Sequence, residues 1–97
     1  MIAATTAEPA AKAQLGIGQC RLAQKKYAEA AAAFLVVPYT YDYPQLSAVA
    51  LLEAARAFAE NKQKDQAVKL LKRVLRDHPN TEAAEAARKR LQELTAG

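Results

Sequence analysis

Residues 27–37 superimpose on residues 64–74 at an offset of 37, so that Ala30 falls on Ala67, Phe34 on Leu71 and Val37 on Val74. In the second copy Ala67, Leu70, Leu71, Val74 and Leu75 follow the i, i+3, i+4, i+7, i+8 spacing of a helix with one buried stripe, and Lys69, Lys72, Arg73 and Arg76 occupy the opposite face. A helical segment that recurs at this distance constrains the chain to an array of similar units, each too small to bury its apolar face alone. Pro44 and Pro79 lie 35 apart, so the first unit holds a two-residue insertion between Val37 and Pro44, and the underlying period is near 35.

The same spacing rules predict five helices. One runs from about residue 7 to 24, with Leu15, Ile17, Cys20 and Leu22 as its larger apolar side chains and Pro9 in its first turn. The second spans 27–37. The third runs from about 45 to 60 after Pro44, the fourth covers 64–77 and stops at His78-Pro79, and the last covers 82–95 with Thr81 as N-cap. Lys25-Lys26 and Asn61-Lys62-Gln63 make short turns, and short connections place consecutive helices antiparallel. With 24 Ala among 97 residues, these helices pack closely on small side chains, and a β-sandwich is excluded. A chain of this length forms one domain with a thin core.

The period, the Ala30 and Phe34 pair and the closing Pro44 resemble the tetratricopeptide repeat family, a solenoid of helix–turn–helix units. Gly18, Tyr27, Ala30, Phe34 and Pro44 carry the likeness in the first unit, and Ala55, Phe58, Ala67, Leu71 and Pro79 in the second. Gln14 stands where the family often has Trp, Lys25 and Lys62 where it often has Gly, and Lys64 where it often has Tyr. The resemblance implies an all-α, right-handed solenoid of antiparallel helix hairpins. Its first repeat covers about 7–44, its second about 45–79, and a polar capping helix about 81–95. The Tyr43-Pro44 and His78-Pro79 endings look most like the bacterial envelope branch, the Tol–Pal-associated and outer-membrane assembly lipoproteins.

Chemistry is sparse. His78 is the only histidine and Cys20 the only cysteine, so neither a His pair nor a multi-cysteine site for a metal exists, and no nucleophile stands beside a base with a flanking signature. The expectation is a chain without catalytic activity and without a cofactor. His78 reads as a group at a helix C-terminus, and Cys20 as a small buried hydrophobe. Net charge is +4, with +1 in residues 1–48 and +3 in residues 49–97, below what a dedicated nucleic-acid binder concentrates on one face. Lys64, Lys69, Lys72, Arg73 and Arg76 lie on one helix, but no aromatic accompanies them, and the reading is a solvated outer face that argues against a nucleic-acid partner.

The resemblance implies binding of a protein or peptide in a groove lined by the first helix of each unit. Lys12, Leu15, Gln19 and Leu22 would line it, then Val49, Leu52, Arg56 and Ala59, then Ala83, Ala86 and Arg90. Arg56, Lys12 and Arg90 give this surface a positive tone over an apolar floor, suited to a partner with acidic character. The basic clamp of chaperone-associated members is absent, since Leu15, Gln19, Glu53, Ala83 and Ala87 hold its places. Residues 38–44 contain three of the four tyrosines, and Tyr39 and Tyr41 on this expected loop are candidate partner contacts. Tyr43 is expected to pack between units. Two units make a short array, so the alternative is completion of the core by a second copy or by further repeats of an envelope-associated parent chain. The N-terminus has no positive n-region or signal-length apolar run, and no segment has the length of a membrane span, so the expectation is a chain that is neither exported nor inserted, periplasmic only as a piece of an exported protein.

Overall fold

The structure, a computed structural model, describes residues 2–96, with side chains from Ala7 onward. Its helices are α1 (Ile2–Ala23), α2 (Tyr27–Thr40), α3 (Pro44–Glu60), α4 (Lys64–Asp77) and α5 (Glu82–Ala96). Each packs on its chain neighbour, and α1, α3 and α5 also touch in succession. The result is an all-α helical-hairpin repeat, a slab whose extents are 48 × 31 × 16 Å, in which α1, α3 and α5 form one layer and α2 and α4 the other.

The repetition extends to the turns. Lys26 N–H donates to Arg21 O and Lys25 N–H to Leu22 O, both at 2.9 Å; 37 residues on, Gln63 N–H donates to Phe58 O at 2.8 Å and Lys62 N–H to Ala59 O at 3.1 Å. This is the Schellman pairing that satisfies the last carbonyls of a helix. It requires a left-handed residue, and Lys25 and Lys62 both take φ of 62° where glycine would do so without steric cost. α3 begins with Pro44 at its first position, where the missing N–H has no intrahelical partner to lose. For α5, Ala84 N–H donates to Thr81 Oγ1 at 3.1 Å, the expected N-cap.

Alanine builds most of the core. Around Phe34 and Val37 gather Ala30, Ala31, Ala50, Ala54 and Ala57. Around Leu71 and Val74 gather Leu51, Ala55, Ala67, Ala84 and Ala87. α3 feeds one cluster from each side, and Leu35, Phe58 and Leu70 bridge the two. Gly18 is fixed by this packing: a Cβ there would lie 2.5 Å from the Phe34 ring. In the second hairpin the equivalent places hold Ala55 and Leu71, a larger residue on α3 facing a smaller one on α4.

The observed helices correct three expectations. α1 starts at Ile2, so Pro9 sits within it and not in its first turn, on an exposed position where its ring meets no packed neighbour helix. α2 does not stop at Val37 but continues through Pro38 to Thr40, because Val37 is anchored in the core and Tyr41 N–H still closes a turn onto Val37 O at 3.0 Å. Residues 38–40 are therefore helix, and only residues 41–43 form the connection. Cys20 is exposed, not buried. Among the described residues of α1 the buried positions are Ala11 and Gly18, and Cys20 lies two residues, about 200°, around the helix from Gly18. Ile17 is turned outward for the same reason.

Candidate functional site

α1 touches α3 and α3 touches α5, so part of the expected groove lies side by side in three separate recesses, while Leu15 and Leu22 pack half-buried against the first core cluster. Gln19 Nε2 donates to Glu53 Oε2 at 2.7 Å, tying α1 to α3 at the level of the absent carboxylate clamp. Nearer the start of these helices Lys12, exposed, borders an open recess of about 390 Å³ shared with Glu8, Tyr43 and Leu46. Between α3 and α5, Gln45, Val49 and Ala83 line a second recess of about 310 Å³. Val49 is 44% exposed although it lies mid-helix, and Leu52 is half-buried at the edge of the second core cluster.

Arg56 and Arg90 meet at a third recess of about 210 Å³, floored by Ala55, Ala59, Leu71 and Leu94. Glu60 and Glu93 complete its rim. The sequence reading missed these two carboxylates, although their positions four residues after Arg56 and three after Arg90 place each on the same helix face as its arginine. Among the described residues none of the four has an ion-pair partner, so two guanidinium groups and two carboxylates stand free over an apolar floor. All three recesses are open grooves, unlike the enclosed cavities that hold small cofactors.

Tyr39 and Tyr41 lie apart from this face, at the junction of α2, α3 and α4. Tyr39 is 70% exposed, and its phenol oxygen accepts a hydrogen bond from Arg73 Nη1 at 3.2 Å while the guanidinium stands 5.4 Å from the ring centroid. No backbone contact joins α2 and α4, so this pair links the two outer helices through side chains alone. Tyr41 is half-buried beside Pro38, Ser47 and His78, and Tyr43 is half-buried as well. Arg73 Nε also donates to Asp77 Oδ2 at 3.4 Å, and Arg76 Nε to Asp77 Oδ1 at 2.9 Å. The Arg76 hydrogen bond, more than any other influence, holds the Asp77 carboxyl below the ordinary carboxylate range. Two of the five cations on α4 are thereby engaged within the molecule.

Among the described residues no His, Cys, Asp and Glu side chains gather as three or more around a point where a metal ion could sit, and no helix is long and apolar enough to cross a membrane.

Hairpins stacked edge to edge, with one helix of each lining a common face, define a helical repeat protein of the kind that presents surfaces to other proteins. The family model described as tetratricopeptide repeat matches residues 12–42 and 49–81, and the chain belongs to that family. Its members are typically non-enzymatic scaffolds that mediate protein–protein interaction. Neither the curated proteins nor the solved structures contain a match to the chain.

Proposed function

We propose that the chain is a non-catalytic interaction module that holds a peptide, or a segment of a partner protein, along the face shared by α1, α3 and α5. The observation that carries this reading is the recess where Arg56 and Arg90 stand unpaired above Ala55, Ala59, Leu71 and Leu94. A partner segment with an apolar side chain for the floor and a carboxylate for the arginines satisfies both. Glu60 and Glu93 add a requirement for a donor or cation on the other side of the same segment. Lys12, Gln19 and Leu52 extend the face, and Tyr39 and Tyr41 offer contacts at the edge where α2 ends. The pairing of Arg73 and Arg76 with Asp77 weakens the competing reading of α4 as a phosphate-tracking helix. A second reading, completion of the array by another copy or by further repeats of an envelope-associated chain, is favoured by the uncharged outer side of α1.

The test is fluorescence anisotropy with labelled peptides of alternating Glu and Leu, using the intact chain. Arg56→Glu with Arg90→Glu is expected to weaken binding by at least about tenfold, equivalent to about 1.4 kcal/mol. Tyr39→Ala with Tyr41→Ala should weaken it less. Equal affinity for the wild type and the arginine double variant would refute the placement of the site.

A further inference from the structure

The two ends of the stack differ. α5 turns Glu85, Lys89 and Gln92 to solvent, which is the polar closure that ends a repeat array. The opposite end, formed by α1 and α2, carries no charged residue at Ala10, Ala13, Ile17, Ala32 or Val36, all of which are exposed. Positions 10, 13 and 17 recur at helical spacing on one side of α1, and positions 32 and 36 on one side of α2. Gln14 donates to Ala33 O at 3.1 Å and Gly18 lies against Phe34, which holds α1 and α2 antiparallel with Ile17 and Val36 both in the middle of their shared length. Ile17 is 46% exposed and Val36 36%. Arg21 and Glu29 at its border face each other at 4.0 Å and offset one another, and Lys25 and Lys26 are confined to the turn at one end of it.

We infer that this end of the stack is the contact surface for a second copy of the chain, joined two-fold so that α1 and α2 of one copy meet α1 and α2 of the other. The inference rests on the reading that another copy completes the array. Charge selects the occupant: a neutral apolar face presented to itself meets no like charge, whereas the charged outer side of α5 would have to be desolvated in a head-to-tail contact. Size agrees. From Ala7 onward α1 is about 26 Å long and α2 about 21 Å, and at about 10 Å of width each the face comes to roughly 450 Å² per copy, the size of a weak, concentration-dependent contact.

Sedimentation velocity on the intact chain, from micromolar to sub-millimolar concentration, tests this. The wild type is expected to pass from monomer to dimer. Ile17→Lys with Val36→Lys should raise the dissociation constant at least about tenfold. Helix content by circular dichroism should stay the same, and Ile17→Ser with Val36→Ser should act in the same direction. Lys89→Glu on α5 should leave the dimer intact. A wild type that stays monomeric throughout overturns both the surface and the completion of the array by another copy. A dimer that persists in the lysine variant overturns this surface alone and places self-association elsewhere, and loss of the dimer in Lys89→Glu likewise places it at α5.

Discussion

Gly18→Ala puts a methyl group where the Phe34 ring already stands. The added carbon would lie 2.5, 2.6 and 2.8 Å from three ring atoms, about 1 Å inside ordinary carbon–carbon contact. Phe34 is fully buried, enclosed by Ala30, Ala31, Ala50 and Ala54, so the ring cannot swing into solvent and must push α1 or α3 outward. Overpacking of this kind costs about 1–3 kcal/mol, and the gain in helix propensity from Gly to Ala returns about 1 kcal/mol, leaving a net loss of up to about 2 kcal/mol. Gly16, two residues earlier on the same helix, supplies the control, because a Cβ there meets nothing within 4 Å. Gly16→Ala should therefore stabilise by up to about 1 kcal/mol. The two variants should melt up to roughly 20 °C apart, Gly18→Ala the lower, given about 4–8 °C per kcal/mol in a domain of this size. Thermal unfolding followed at 222 nm reads this directly. A Gly18→Ala variant stabilised as much as Gly16→Ala would refute the close approach of α1 to Phe34. Combining it with Phe34→Leu, which copies the Ala55 and Leu71 pairing of the second hairpin, should recover part of the loss.

Lys25→Gly and Lys62→Gly each remove a side chain from a left-handed turn position and should stabilise by up to about 1 kcal/mol, measured by urea midpoint; equal effects are expected because the two turns share one geometry. Thr81→Ala removes the N-cap of α5 and should cost about 1 kcal/mol, with amide exchange accelerated first at residues 82–85. Asp77, whose carboxyl titrates lower in the folded chain than in the unfolded one, contributes stability that is fully present above the unfolded carboxylate value, near 4, and is lost as pH falls through the lower folded value. Asp77→Asn should therefore flatten the acid side of the stability–pH curve while leaving the neutral side nearly parallel.

The repeat was legible because it is written in local spacing. Ala30, Phe34 and Val37 match Ala67, Leu71 and Val74, and all six are buried in the structure. The length of α2 was not legible, because the rule that a residue before proline leaves the helix is a local preference that core burial of Val37 overrides. Cys20 was misplaced for a related reason: α1 carries apolar residues all round, and only the contact of Gly18 with Phe34 reveals which side faces inward. Arg56 and Arg90, expected on the groove from their places on the first helix of each unit, line one recess with Glu60 and Glu93, which went unnoticed. The bond from Arg73 to Tyr39 joins residues 34 apart on helices without backbone contact, and nothing in either segment announces it.

α3 touches every other helix, while α1 and α5 each touch two. In native-state hydrogen exchange this makes α3 the slowest segment, with opening free energy falling toward both ends of the chain, so the molecule loosens from its margins inward. The arginine recess spans that gradient: Arg56 sits on the helix that opens last, and Arg90 on one that opens early. A peptide bridging them would be bound only while α5 is docked, and its binding energy would appear as added protection at α5, far more than at α3. The site would then report its own occupancy through the order of the last helix.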